Sequence, residues 1–221
     1  QKTFKKINMK RILVLFAVTV LSTVLFAQSE KYMKAMQINI GKLDSALMTG
    51  KMAELSNNFE RIADAEKTQW LPYYYASYCA VMNALTEPDK GKTDGIADRG
   101  EQLIKKSESI AGKENSEICV IKSMVATSHM MVDPQSRWQQ YGEASASNIA
   151  KAKSLDPTNP RPVYLEGQTK FYTPESFGGG KAPAKELFVQ ALKMFDTFKP
   201  ESDLHPNWGR ASTNYFLAQC N

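Results

Sequence analysis

Apolar positions divide the chain into one unbroken run near its start and a long remainder with helical spacing. Lys2, Lys5, Lys6, Lys10 and Arg11 form a basic head; Ile12 to Ser29 then carries no charge, and Ile12–Phe26 is almost wholly apolar. Ala27 places a small residue at the exit, followed by polar Gln28, Ser29 and Glu30. That order predicts a secretory signal peptide over residues 1–27, with residues 1–8 upstream of Met9, the expected start. As a helix the uncharged stretch would span roughly 27 Å, marginal for a bilayer, so cleavage is expected rather than a retained anchor. From residue 28 to 221 the apolar residues recur three and four apart and alternating β-branched runs are few. Helices are therefore expected almost throughout, in one domain.

Within that domain a pattern repeats. Trp70–Val81, Glu117–Ser128 and Arg161–Tyr172 align without gaps. They share the triplets Pro72/Ala76/Cys79, Cys119/Ser123/Ala126 and Val163/Gly167/Lys170, and a fourth copy is Trp208/Ser212/Tyr215. The middle member is always small. Between these segments lie Gly100/Ile104/Ser107, Ser145/Ile149/Ala152 and Ala184/Phe188/Ala191, with one large residue between two small ones. Pro157 stands five residues after Ala152, inside an Asp156–Pro160 stop signal. Seven triplets in alternating order resemble the paired helices of tetratricopeptide repeats, in which small residues let helices approach closely. Lys170 and Pro72 depart from the family pattern; Pro72 suits a first helical turn. The resemblance implies an all-α helical-hairpin solenoid, a TPR-like superhelix, preceded by a signal-peptide helix.

Some spacings are longer than the family's. Extended links are expected over Thr86–Thr93, Val132–Arg137 and Tyr172–Pro183. An opening pair, about Glu30–Met48 and Met52–Glu66 with a turn at Gly50 and Lys51, fits the pattern loosely. A last helix, about Asn207–Gln219, reads as a terminal cap, and terminal repeats are commonly atypical.

Charge and cysteines narrow the classes. The whole chain carries 28 basic and 23 acidic residues, but all five charges of residues 1–27 are basic, so the remainder balances at 23 of each. A nucleic-acid binder should keep a basic patch in its folded part, and this one has none. Cys79, Cys119 and Cys220 fit neither a disulfide framework nor a zinc site, and buried small hydrophobes are expected. No cysteine follows the apolar run, which argues against a lipoprotein.

Catalytic and metal signatures are missing. Gly91-Lys92-Thr93 imitates the tail of a phosphate-binding loop, yet Thr86 occupies the required upstream glycine position; a solvated turn is expected. His129 and His205 are the two histidines and lie far apart in sequence. No enzyme activity, metal or cofactor is expected, although a cluster converging on His129 would reopen that question. Phe177, Gly178, Gly179, Gly180 and Lys181 form a glycine-rich loop before a helix, where free N–H groups and Lys181 would suit an anion or small solute. The alternative is a plain link packed by Phe177 and Tyr172.

Aromatic residues crowd two of the aligned segments. The repeat resemblance implies a concave groove lined by Trp70, Tyr73, Ser77, Arg161, Tyr164, Gln168 and Phe171, residue types that favour contact surfaces. The leading expectation is an exported interaction protein of a Gram-negative envelope, periplasmic or secreted, that binds a protein or peptide in that groove. The competing one is a small-solute or transport-accessory protein using the glycine loop. Membrane contact is expected only through an uncleaved signal peptide.

Overall fold

A computed structural model describes residues 30–221 and contains only helices, turns and loops among them. The expected signal peptide, 1–27, lies outside the described residues. The helices are α1 (30–40), α2 (Leu43–Met48), α3 (Met52–Glu66), α4 (Leu71–Thr86), α5 (Lys90–Ala111) and α6 (Ser116–Met130). They continue as α7 (Pro134–Arg137), α8 (Glu143–Leu155), α9 (Pro160–Tyr172), α10 (Lys181–Thr197) and α11 (Arg210–Gln219). The all-α expectation holds. None of these helices is long and apolar enough to cross a membrane.

Local chemistry sets the boundaries. Asp89 caps α5 by accepting from the Gly91 N–H at 3.0 Å, and Asn115 caps α6 by accepting from the Ile118 N–H at 3.0 Å. Asn159 does the same for α9, with Pro160 in the first turn, where the missing N–H costs nothing. The Asp89 cap corrects the expectation for Thr86–Thr93. The link is only Glu87–Asp89, and Gly91-Lys92-Thr93 forms the first turn of α5 rather than a solvated turn. The stretch expected as one helix to Met48 is broken by a turn at Gly41 and Lys42. The link after α6 holds α7 and a π turn, Trp138–Gly142.

Packing follows the small residues. The helices pair as α4 with α5, α6 with α8, and α9 with α10. The contacts of α5 with α6, α8 with α9 and α10 with α11 stack the pairs, and α3 flanks α4. At the α3–α4 contact the Ser56 hydroxyl reaches the Ala76 carbonyl at 2.7 Å; at α4–α5 the Ser77 hydroxyl reaches the Gly100 carbonyl at 2.7 Å. Ser123 and Ser145 join α6 to α8 at 2.8 Å. At α9–α10 a Cβ on Gly167 would stand 2.6 Å from the Phe188 ring, so only glycine admits that ring. Ile104, Ala152, Ala184, Phe188 and Ala191 are fully buried in the same layers.

The link from α10 to α11, residues 198–209, is a strap that returns to α4. Leu204 is buried, and its carbonyl accepts from the Tyr75 hydroxyl at 2.9 Å. The Trp208 ring packs 4.6 Å from Tyr78, and its Nε1 donates to the Tyr74 hydroxyl at 2.9 Å. Gly209, at φ 110°, ends the strap where a Cβ would meet the Phe195 ring at 2.9 Å. The last helix therefore begins at Arg210, not Asn207.

Candidate functional site

The seven groove residues expected from sequence do not form one surface. Tyr73 is buried at the α3–α4 contact, its hydroxyl donating to Asp64 at 2.5 Å, and burial beside that carboxylate raises its pKa to about 12. Ser77 is consumed by the α4–α5 contact. Trp70 is half-buried, edge-on to Tyr74 and to His205 of the strap. Arg161 is wholly buried: its Nε donates to both Glu117 oxygens at 2.9 and 3.0 Å, and its guanidinium lies 4.7 Å from Phe198 and 5.6 Å from Trp208. Glu117 also accepts from the Tyr74 hydroxyl at 2.8 Å and from Asn159 Nδ2 at 2.6 Å. These four residues are interior struts. The strap covers Trp70 and Arg161, and sequence alone does not signal that cover.

The other three, Tyr164, Gln168 and Phe171, come together with α11 around a ring absent from the expectations. Phe216 is the hub. Its centroid lies 5.6 Å from Phe188 in a stacked pair and 5.5, 6.0 and 5.4 Å from Phe171, Tyr172 and Tyr215, all edge-on. Tyr164 lies beneath at 6.4 Å, its hydroxyl flanked by Ser212 and Gln168, and burial pushes that phenol well up. Over this buried base stand two rings in solvent: Tyr172 is 69% exposed and Tyr215 62%. Partial desolvation, with the neighbouring Tyr215, raises the Tyr172 pKa, so this phenol is neutral near pH 7. The arrangement is an aromatic shelf. Chemically it suits a flat, apolar ligand face, with hydroxyls at its margin.

The glycine loop adjoins the shelf in sequence, between Tyr172 and α10. Its expected free amides are not free: Gly178 N–H donates to the Glu175 carbonyl, Gly179 N–H to Pro174 and Gly180 N–H to Lys170, at 2.9, 3.2 and 2.8 Å. The glycines are there for space. A Cβ on Gly179 would sit 2.1 Å from the Thr173 oxygen, and Gly178 and Gly180 have φ of 75° and 102°. The anion-nest expectation is thus corrected by the loop's own hydrogen bonding. Phe177 is 79% exposed and does not pack the loop, while Lys181 stays exposed at the start of α10.

A second polar cluster surrounds His129. Its Nδ1 lies 2.8 Å from Asp94 Oδ1, Arg137 reaches both Asp94 oxygens at 2.7 and 2.9 Å, and the Tyr141 ring stacks at 5.0 Å. Arg137 and His129 hold the Asp94 carboxyl below its usual range. The cluster ties α5, α6, α7 and the π turn after it together. Among the described residues no group of three or more His, Cys, Asp or Glu is placed to hold a metal. All three cysteines are unbridged, and Cys79 and Cys119 are buried.

No family model matches the chain, and no curated protein matches it. Among solved structures, it is similar to the HusA haemophore from Porphyromonas gingivalis. The TM-score is 0.75 at 32% sequence identity, and the match covers 86% of this chain and 92% of that one.

Proposed function

The chain belongs to the family of the HusA haemophore, and from that premise we propose that it is an exported haem-binding protein that lays the macrocycle against the aromatic shelf. Haem is flat and largely apolar over its faces, with carboxylates along one edge and a metal at the centre. The observation that carries the reading is the pair of solvent-facing rings, Tyr172 and Tyr215, held edge-on by the Phe216 hub. Aromatic faces favour such stacked or edge contacts, and each ring covered adds apolar contact at little entropic cost. Phe177 and Lys181, both exposed and a few residues after Tyr172 in sequence, are assigned to the same ligand. Lys181 is the cation assigned to a ligand carboxylate.

The function is binding, without turnover. Export rests on the basic head and apolar run of residues 1–27. The stacked hairpins are of the tetratricopeptide kind on this reading, supported by the small-residue contacts at Ala76, Ser123 and Gly167. A protein or peptide partner along α4 and α9 is the weaker reading, because the strap already occupies Trp70 and Arg161.

The test is absorbance titration of residues 28–221 with haem. A saturable shift of the main haem band is expected, and its absence would overturn the proposal. Tyr172→Ala should weaken affinity about tenfold or more, since losing one well-covered ring removes about 1.4 kcal/mol or more. Tyr172→Phe keeps the ring, so an equal loss there would assign the contribution to the hydroxyl.

A further inference from the structure

We propose that Gly167, which is remote from solvent, is a positioning residue for the ligand shelf, acting through Phe188 and Phe216. This rests on the haem reading of the shelf. The contacts run in one line across three helices. Gly167 on α9 has no side chain, and the Phe188 ring of α10 fills the space; an added Cβ would lie 2.6 Å from Cε1 and 2.8 Å from Cδ1. Phe188 is wholly buried, so its ring has no solvent side to swing into. The same ring stacks with Phe216 of α11, 5.6 Å between centroids and 20° between planes. Phe216 in turn supports Tyr172 and Tyr215. A methyl group at Gly167 therefore displaces the Phe188 ring from its place against Phe216, and because close-packed interiors transmit strain the displacement reaches the two exposed rings that Phe216 supports.

Gly100 provides the matched comparison. It is buried at the α4–α5 contact, and a Cβ there would stand 2.9 Å from Val81 Cγ2, a similar overlap in a different hairpin. Gly100 touches none of the shelf residues.

The experiment compares Gly167→Ala with Gly100→Ala by thermal unfolding, haem titration and nitration of tyrosines with tetranitromethane, mapped by mass spectrometry. Both variants should unfold at lower temperature. Only Gly167→Ala should weaken haem binding, by about tenfold, and only it should change the nitration rates of Tyr172 and Tyr215. If Gly167→Ala does not fold, Phe188→Leu reaches the same line from the other side by leaving a gap under Phe216, and it should produce the same two effects. Equal affinity losses in the two glycine variants, or unchanged nitration in Gly167→Ala and Phe188→Leu, would overturn the proposal. Failure of the wild-type chain to bind haem removes the haem reading alone. The nitration comparison then still decides whether Gly167 sets the shelf.

Discussion

Arg161 and Glu117 form the most deeply buried ion pair described, with side-chain exposures of 0% and 13%. A charge there is tolerable only because its partners are complete: Glu117 also accepts from Tyr74 and Asn159, and Arg161 lies under two aromatic rings. Arg161→Met should cost about 3–5 kcal/mol by leaving Glu117 buried and unpaired, as measured by denaturant unfolding. The double change Arg161→Met with Glu117→Gln should recover part of that loss. Glu114 behaves differently because its partners Lys122 and Lys151 stay in contact with water, with side-chain exposures of 24% and 56%. Hydrogen bonds from Lys122 and Lys151 lower its pKa to about 2 from an ordinary 4.5. The folded state thus holds this proton less tightly than the unfolded state. Its contribution is complete above about pH 4.5 and vanishes as pH falls through about 2. Glu114→Gln should flatten the stability profile inside that window and leave its shape at pH 7–9 unchanged.

At the scale of the helix, the readable information lay where neighbours must touch. Ala76, Ser123, Gly167 and Gly100 were recognisable because close approach excludes large side chains, a constraint that repeats along the chain. The links were less legible. Asp89 as a cap moves α5 four residues earlier than the pattern suggested, and the turn at Gly41 is decided by packing. The shelf was half legible. Tyr164, Gln168 and Phe171 fell on the expected face, whereas Tyr215 was noticed only as the third member of a triplet. Tyr215 stands exposed on α11. Phe216 carries no spacing signal at all. The strap was illegible for a related reason: its partners on α4 are more than a hundred residues away, and no local periodicity records such a contact. Trp208 is its main anchor. Trp208→Ala should cost about 3–5 kcal/mol, the usual range for deleting a large packed aromatic side chain, with Trp70 fluorescence reporting the change at the far end.

For the molecule as a whole, neither metal clusters nor disulfides brace the described residues. Cohesion comes from the continuous apolar interior and from buried polar joints. Open stacks of repeats hold together by neighbour-to-neighbour terms, so their ends fray first and their cooperativity decays with length. Here the strap stitches the late part of the chain to an early layer, turning a line of units into a closed circuit. Fraying at the carboxy-terminal end then has to break contacts on α4 as well. The two regions should accordingly exchange their amide hydrogens at one shared rate, and severing the stitch at Trp208 should split a single melting event into two.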